Sequence, residues 1–424
     1  MPSVYVKAYG CSANTADAEI AMGMLTENGY IVVDSQRLSD INVVFTCIVK
    51  TPTEQKVTKH LMQLAATGKP LLVAGCMPKA LRGCVEAAAP QASMVGPDDI
   101  DLIVNAVESA LRGDRVLYIN GAPKDRSCLP RVRANKLIHI APICTGCLGD
   151  CSYCIVKYAR GNLHSYPAER IVEDVKMAVE EGCKEVWVTG EDTAAYRDKD
   201  VRLPQLLDMI TSTPGDFMVR VGMMTPNQVI PLLNDMVTSC YSDKIYKFLH
   251  LPVQSGNNEV LRAMKRRYTV EDFKMVVKRF RKAFPEICIS TDIICGFHGE
   301  RREQFQDSME LIRWLRPDVL NISRFWERPR TEATKLPGKL HGRETKERSR
   351  LLTALWKEMA VDVGLRWLGW EGPVLLTERG KGSTMVGHNY AYKAVAVETS
   401  AALGETVNTR ITGAGVGFLK AVLK

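Results

Sequence analysis

Over the first 120 residues, short apolar runs alternate with amphipathic stretches. Residues 4–9, 31–33, 43–46 and 71–74 predict strands, and 14–27, 54–66 and 98–111 predict helices. Strands and helices in regular alternation imply a parallel sheet with helices on its faces. Residues 121–135 are polar, basic and Pro-containing, which predicts a linker. A second alternation then begins. Strands are expected at 137–141, 185–189, 217–221, 247–251, 287–291 and 319–322, and helices at 168–181, 257–264, 270–283 and 303–315. Six such strands suggest a partial (β/α)6 barrel with functional loops at the strand C-termini. From about residue 366 the chain is rich in Val, Thr and Gly and reads as a small all-β module. The expected fold class is therefore α/β, with domains at 1–120, 136–365 and 366–424.

Chemistry concentrates just after the first strand of that second alternation. The run Cys144-Thr-Gly-Cys147-Leu-Gly-Asp-Cys151-Ser-Tyr-Cys154 places Cys147, Cys151 and Cys154 as C-x3-C-x2-C. Disulfides need particular Cα separations, so four cysteines in so short a run suit a metal site better. Three thiolates on one loop can hold three irons of a [4Fe–4S] cluster and leave the fourth open. A structural zinc loop, with Cys144 as its fourth ligand, is the alternative.

Three further cysteines each follow a predicted strand: Tyr9-Gly10-Cys11, Thr46-Cys47 and Ala74-Gly75-Cys76. Strand C-terminal ends meet at one edge of an open parallel sheet, so Cys11, Cys47 and Cys76 are expected to converge. Gly10 and Gly75 would let the backbone close around a bulky group. The plainer reading is three buried core cysteines.

The formal charge of +8 is unevenly placed: residues 262–282 carry nine Lys/Arg against two acids, and 301–350 carry thirteen against eight. Such a field suits a polyanion such as RNA, although solvated helix faces would look the same. Thirteen cysteines, no leader-like or tail-anchor segment and no run long enough to span a bilayer point to a cytoplasmic chain using metal or redox chemistry.

These motifs together resemble one family. The Cys147/Cys151/Cys154 spacing is similar to that of radical S-adenosylmethionine (SAM) enzymes. With Tyr9-Gly-Cys-Ser-Ala-Asn-Thr-Ala-Asp-Ala-Glu19, Ala74-Gly-Cys-Met-Pro78, Leu249-His-Leu-Pro-Val-Gln-Ser-Gly-Asn-Asn258, Met264-Lys-Arg266 and Thr291-Asp-Ile-Ile-Cys-Gly-Phe297, it is similar to the methylthiotransferases. The terminal module resembles a TRAM domain, a small RNA-binding β-barrel. The wording Cys-Thr-Gly-Cys-Leu-Gly-Asp-Cys and Gly190-Glu-Asp-Thr193 is closest to the archaeal and eukaryotic branch acting on N6-threonylcarbamoyladenosine of tRNA.

That resemblance implies two [4Fe–4S] clusters, one on Cys147/Cys151/Cys154 that chelates and cleaves SAM, and one on Cys11/Cys47/Cys76 where sulfur is methylated and delivered. Adenine C2–H has no leaving group or acidic proton, so the radical chemistry belongs to the cofactor and the geometry to the protein. Implied partners are the tRNA anticodon stem-loop, an electron donor such as a flavodoxin or ferredoxin, and a sulfur source. Thr189-Gly190-Glu191 stands where radical-SAM enzymes carry Gly-Gly-Glu toward the SAM amino group; with Thr in first place, backbone carbonyls can replace Glu191 in that contact. Gln254, Ser255, Arg266 and Asp292 are expected at SAM or substrate contacts, with loop bracing as the alternative. Arg160 is expected to pair with a phosphate or the threonyl carboxylate, or to form a packing salt bridge. Lys381, His388, Tyr390 and Tyr392 have the character of RNA-binding residues. Rival substrates are isopentenyladenosine in tRNA and an aspartate of a ribosomal protein; a non-catalytic RNA-binding iron–sulfur protein is the rival of another class.

Overall fold

The first sheet is parallel and ordered β2-β1-β3-β4-β5-β6. A computed structural model describes residues 1–424. In chain order its N-terminal elements are β1 (Ser3–Ala8), α1 (Ser12–Glu27), β2 (Ile31–Val33), β3 (Ile41–Thr46), α2 (Thr51–Ala65), β4 (Leu71–Gly75), α3 (Cys76–Ala80), α4 (Arg82–Ala88), β5 (Ser93–Val95), α5 (Ile103–Leu111) and β6 (Leu117–Tyr118). Every residue of β3 and β4 is buried, as expected of central strands covered by helices on both faces. The short strands β5 and β6, of three and two residues, were not expected from the sequence.

The connecting stretch 121–135 has no regular structure, yet it is anchored. Arg126 is almost fully buried against Asp17 and Asp98, and Arg131 against Asp174.

The second alternation forms β7 (Ile138–Pro142), then the pair β8 (Cys144–Thr145) and β9 (His164–Ser165), which brackets the cysteine loop and α6 (Val156–Arg160). It continues with α7 (Ala168–Glu180), β10 (Glu185–Thr189), the hairpin β11 (Arg197–Asp198) and β12 (Val201–Arg202), α8 (Leu203–Thr211), β13 (Met218–Val221), α9 (Pro226–Val229) and α10 (Leu233–Ser239). Then come β14 (Phe248–His250), α11 (Asn258–Ala263), α12 (Val270–Ala283), β15 (Cys288–Cys295), α13 (Arg302–Leu315), β16 (Val319–Arg324) and α14 (Gly342–Leu365). Strands β7, β10 and β13 pair in parallel, as do β14, β15 and β16, and a bridge between Val219 and Ile245 joins the two halves. Six parallel strands in this order make the partial barrel. Val186, Val188, Val219, Val221, Leu249 and Ile289 turn outward into the large core shared with the helices. Their neighbours Trp187, Arg220, Phe248 and His250 therefore face the interior.

Asn257 caps α11 by accepting from the N–H groups of Glu259 and Val260, and Thr269 with Asp272 forms a capping box on α12. These caps fix the loops that follow β14. The last domain is a closed five-stranded barrel, β17 (Glu371–Arg379), β18 (Thr384–His388), β19 (Ala394–Glu398), β21 (Leu419–Leu423) and β20 (Thr406–Ala414) in spatial order. Its core merges with Tyr246, Phe248 and Cys288 of the larger barrel. No helix is long and apolar enough to cross a membrane.

Candidate active site

Two of the N-terminal cysteines stand at helix starts. Cys11 is the N-cap of α1, and Cys76 opens α3 directly after Gly75. The N–H groups of Ile48 and Val49 point at Cys47. The three thiols are mutual electrostatic neighbours. Their close approach depends on the two glycines. A Cβ on Gly10 (φ +109°) would lie 2.7 Å from Cys47 Sγ, and one on Gly75 (φ +86°) would lie 2.7 Å from Asn14 Oδ1. Asn14 in turn donates to the Tyr9 carbonyl at 2.6 Å.

Cys147, Cys151 and Cys154 are likewise neighbours, on the loop between β8 and α6. The Gly149 N–H donates to Cys147 Sγ at 3.2 Å, and Arg266 Nη1 donates to Cys151 Sγ at 3.1 Å. The N–H groups of Val156 and Lys157 serve Cys154. Burial pushes the Cys76 and Cys154 thiols up to about 12 and the Cys147 thiol up to about 11. Metal loading would therefore release protons.

Each set fits an iron–sulfur cluster. Amides and guanidinium groups aim at the sulfurs, and the buried Nη2 of Arg266 has no partner, as suits a cation set against an anionic group. No three His, Cys, Asp or Glu side chains gather closely enough to hold one metal ion. Thiolates of a cubane ligate different irons and stand further apart than the ligands of one zinc. Cys144 is buried in the core against Gly190, where a Cβ would meet its sulfur at 2.7 Å. Of the remaining cysteines, Cys183, Cys240, Cys288 and Cys295 are also buried, Cys128 is half-buried, and only Cys84 is exposed.

Arg160 joins the two regions. It closes α6, is almost fully buried, and places Nη2 at 2.8 Å from Asp17 Oδ2 and Nε at 3.7 Å from Glu191 Oε1. Its charge also acts on the Cys76 and Cys11 thiols. In place of the phosphate or threonyl carboxylate of the functional reading, the structure shows the packing ion pair, with Asp17 and Glu191 as its acids. Burial raises the Glu191 carboxyl, and its Oε2 has no partner. Glu191 thus faces Arg160, and its charge acts on the Cys144 and Cys147 thiols.

The other expected residues divide. Arg266 lies at the cysteine loop and also donates to the Tyr268 hydroxyl at 2.9 Å. Asp292 Oδ2 lies 2.8 Å from His250 Nε2, a pair that sequence spacing did not announce. Gln254 takes a left-handed backbone (φ +71°), and its N–H donates to the Asp292 carbonyl at 2.8 Å. Ser255 is fully buried, and its hydroxyl accepts from the Asn257 N–H at 3.2 Å, which braces the loop. Asp192, missed in the sequence, lines the cleft beside Cys147, Cys151 and Arg266. Burial lifts its carboxyl to about 6. Lys265 and Arg267 are exposed at the same cleft, paired with Glu332 and with Asp150 at 3.1 Å. Of the aromatic residues expected to meet RNA, His388 and Tyr392 stack on each other at 4.0 Å and pack inward, and Tyr390 bonds Glu286. Only Lys381 is exposed.

Residues 141–312 match the Radical SAM superfamily, and residues 3–96 match Uncharacterized protein family UPF0004. The radical S-adenosylmethionine methyltransferase TsrM from Kitasatospora setae, solved with cobalamin and a [4Fe-4S] cluster, shares the fold. It has a TM-score of 0.58 at 14% identity, covering 78% of this chain and 74% of that one. The chain is 40% identical over 423 residues to a probable threonylcarbamoyladenosine tRNA methylthiotransferase of Pyrococcus horikoshii, covering 99% of both. It is 35% identical over 438 residues to the threonylcarbamoyladenosine tRNA methylthiotransferase of Homo sapiens, covering 98% of this chain and 73% of that one. With both domains matched and these identities running the length of the sequence, the chain belongs to the threonylcarbamoyladenosine tRNA methylthiotransferase family.

Proposed function

We propose that this chain converts N6-threonylcarbamoyladenosine beside the tRNA anticodon to its 2-methylthio derivative. The observation that carries the reading is the presence of two three-thiol sets from separate domains, linked by one buried arginine: Arg160 ends the helix that follows the second set, and its charge acts on Cys76 and Cys11 of the first. Residues 1–120 carry the auxiliary site on Cys11, Cys47 and Cys76. Residues 136–365 carry the SAM site on Cys147, Cys151 and Cys154. Residues 366–424 form the TRAM barrel, and 121–135 tie the first two together.

When bound, the clusters supply one-electron cleavage of SAM and a site for the transferred sulfur. The chain's own residues hold that chemistry in place. Arg266 and the Gly149 amide donate to the sulfurs of the SAM loop and stabilise their negative charge. Arg160 balances charge between Glu191 and the auxiliary thiols. Asp192 accepts from the Thr225 N–H at 3.0 Å and fixes the loop beyond β13 at the cleft. Asp292, within β15, and Gln254, beyond the end of β14, border the same interior. The tRNA would approach over Lys265, Arg267 and the exposed basic residues of α12, with Lys381 contributing from the terminal barrel. An electron donor of the flavodoxin or ferredoxin type, a sulfur source and a cytoplasmic setting complete the reading.

Iron and sulfide content after anaerobic reconstitution tests it. Wild type should hold about eight irons, and the variant Cys147→Ala/Cys151→Ala/Cys154→Ala about four. About four falling to none would mean that Cys11, Cys47 and Cys76 hold no cluster. Nucleoside analysis of tRNA from cells lacking the gene then separates the threonylcarbamoyl substrate from the isopentenyl one.

A further inference from the structure

Trp187 on β10 and Arg220 on β13 are register partners, so their side chains leave the sheet on the same, interior face. The guanidinium carbon of Arg220 lies 5.3 Å from the Trp187 ring centroid, 5.2 Å from that of Phe248 and 5.2 Å from that of Tyr392. All three domains meet here. Trp187 packs on Ile138, Ile140 and Ala16 of α1, while Tyr392 comes from the terminal barrel.

The cage is complete except for an anion. The Nε of Arg220 is buried without a partner. The acids around the interior are engaged elsewhere. Glu185 accepts from the Tyr246 hydroxyl at 2.6 Å and the Trp187 indole N–H at 2.9 Å, and it pairs with His388 at 2.9 Å. Asp292 is paired with His250. An arginine held by aromatic rings keeps its in-plane N–H fork for a bidentate, planar anion. An anionic oxygen could come from an RNA phosphate or from a carboxylate. A backbone phosphate carries a ribose on either side and does not fit among three rings inside a barrel. A terminal carboxylate on a flexible arm does.

We propose that Arg220, caged by Trp187, Phe248 and Tyr392, is the subsite that receives the threonyl carboxylate of the substrate base. This rests on the N6-threonylcarbamoyladenosine reading above and adds the residue that enforces it. An isopentenyl group entering the same interior would leave the guanidinium unpaired, and a site built to bond a polar group rejects an analogue that lacks it.

The test is equilibrium binding of three anticodon stem-loop RNAs to the reconstituted protein. They carry N6-threonylcarbamoyladenosine, its carboxylate methyl ester or unmodified adenosine. Wild type should bind the acid roughly tenfold to a hundredfold more tightly than the ester, the scale of a bond to a charged group. Arg220→Gln should bind both at the ester level, with iron content and thermal midpoint as controls for folding. Arg220→Lys, which keeps the charge but not the fork, should fall between. Equal weakening of all three RNAs by Arg220→Gln would mark a phosphate contact and overturn the inference. So would an acid-over-ester preference that survives the substitution, or a wild type with none. In each case the enzymatic reading stands if wild type still methylthiolates the threonylcarbamoyl RNA. Its failure to do so is the separate result that sinks that reading.

Discussion

Arg160 Nη2 stands 2.8 Å from Asp17 Oδ2, and both side chains are almost fully buried. The same carboxylate accepts from Arg126 of the connecting segment. One acid of α1 therefore ties together the N-terminal sheet, residues 121–135 and the cysteine loop of the barrel. The fixed placement of the two cysteine sets across a domain boundary follows from this network rather than from apolar packing alone.

Asp17→Ala would leave two cations buried with only Asp98 and Glu191 nearby. Removing one partner of a buried ion pair costs about 3–5 kcal/mol. The thermal midpoint should fall, and iron should be lost from the Cys11/Cys47/Cys76 site before the SAM site. An unchanged midpoint would show that the network bears no load.

Gly10→Ala tests the auxiliary site without touching a thiol. The residue sits at φ +109°, and the added Cβ would lie 2.6 Å from Cys47 Cβ and 2.7 Å from its sulfur. We expect reconstituted iron to drop from about eight to about four while the SAM-site electron paramagnetic resonance signal persists. Full iron occupancy would show that the loop relaxes around the methyl group.

Arg266 should tune the SAM-site cluster, because a cation donating to a cluster sulfur favours the more negative, reduced state. Arg266→Gln keeps a neutral donor and Arg266→Leu removes it. The midpoint potential from a redox titration should move negative in both, further in Arg266→Leu. A potential that stays put in both variants would detach Arg266 from the cluster's electronics.

The His139–Asp174 pair sets an acid limit on stability. Burial holds the His139 imidazole below its usual value. Burial also pushes the Asp174 carboxyl up, but the His139 hydrogen bond and the Arg131 charge bring it net below the usual carboxylate range. Below about pH 6.5 the unfolded histidine takes a proton that the native one resists, so stability is lost as pH falls. The lowered carboxyl acts in the same direction at still lower pH. Urea midpoints measured between about pH 7 and 5 should fall in wild type and fall less in His139→Asn. Parallel curves for the two proteins would count against this pair.

The gathering of six cysteines into two sets of three was legible because each lies next to a strand end or inside one short loop, where local spacing carries the signal. The barrel strands were legible for the same reason. The long-range pairs were not. Nothing around Arg160 names Asp17 as its partner, so a phosphate or the threonyl carboxylate looked as good as a packing pair. Tyr392 and His388 looked like RNA-facing residues of a small barrel until that barrel docked on Phe248 and Tyr246. The Arg220 cage was invisible because the arginine and its three rings come from three strands and a turn in two domains, with no periodicity to link them.

Glu185 holds that docking together and is fully buried. Burial pushes its carboxyl up, but hydrogen bonds from His388, Tyr246 and Trp187 outweigh it and leave the carboxyl below its usual range. Glu185→Ala would strand three donors at the junction of the two barrels, each costing about 1–3 kcal/mol if left unsatisfied. Glu185→Gln keeps the shape but removes the charge that His388 meets at 2.9 Å. Limited proteolysis should release the terminal barrel from Glu185→Ala near the end of α14, with Glu185→Gln intermediate. The tryptophan emission of Trp187 should shift as Tyr392 leaves its edge, now 6.5 Å away between centroids. If Glu185→Ala keeps the terminal barrel protected, apolar burial around Trp367 and Phe248 is enough to hold it. The carboxylate would then serve only to orient Trp187 beside Arg220.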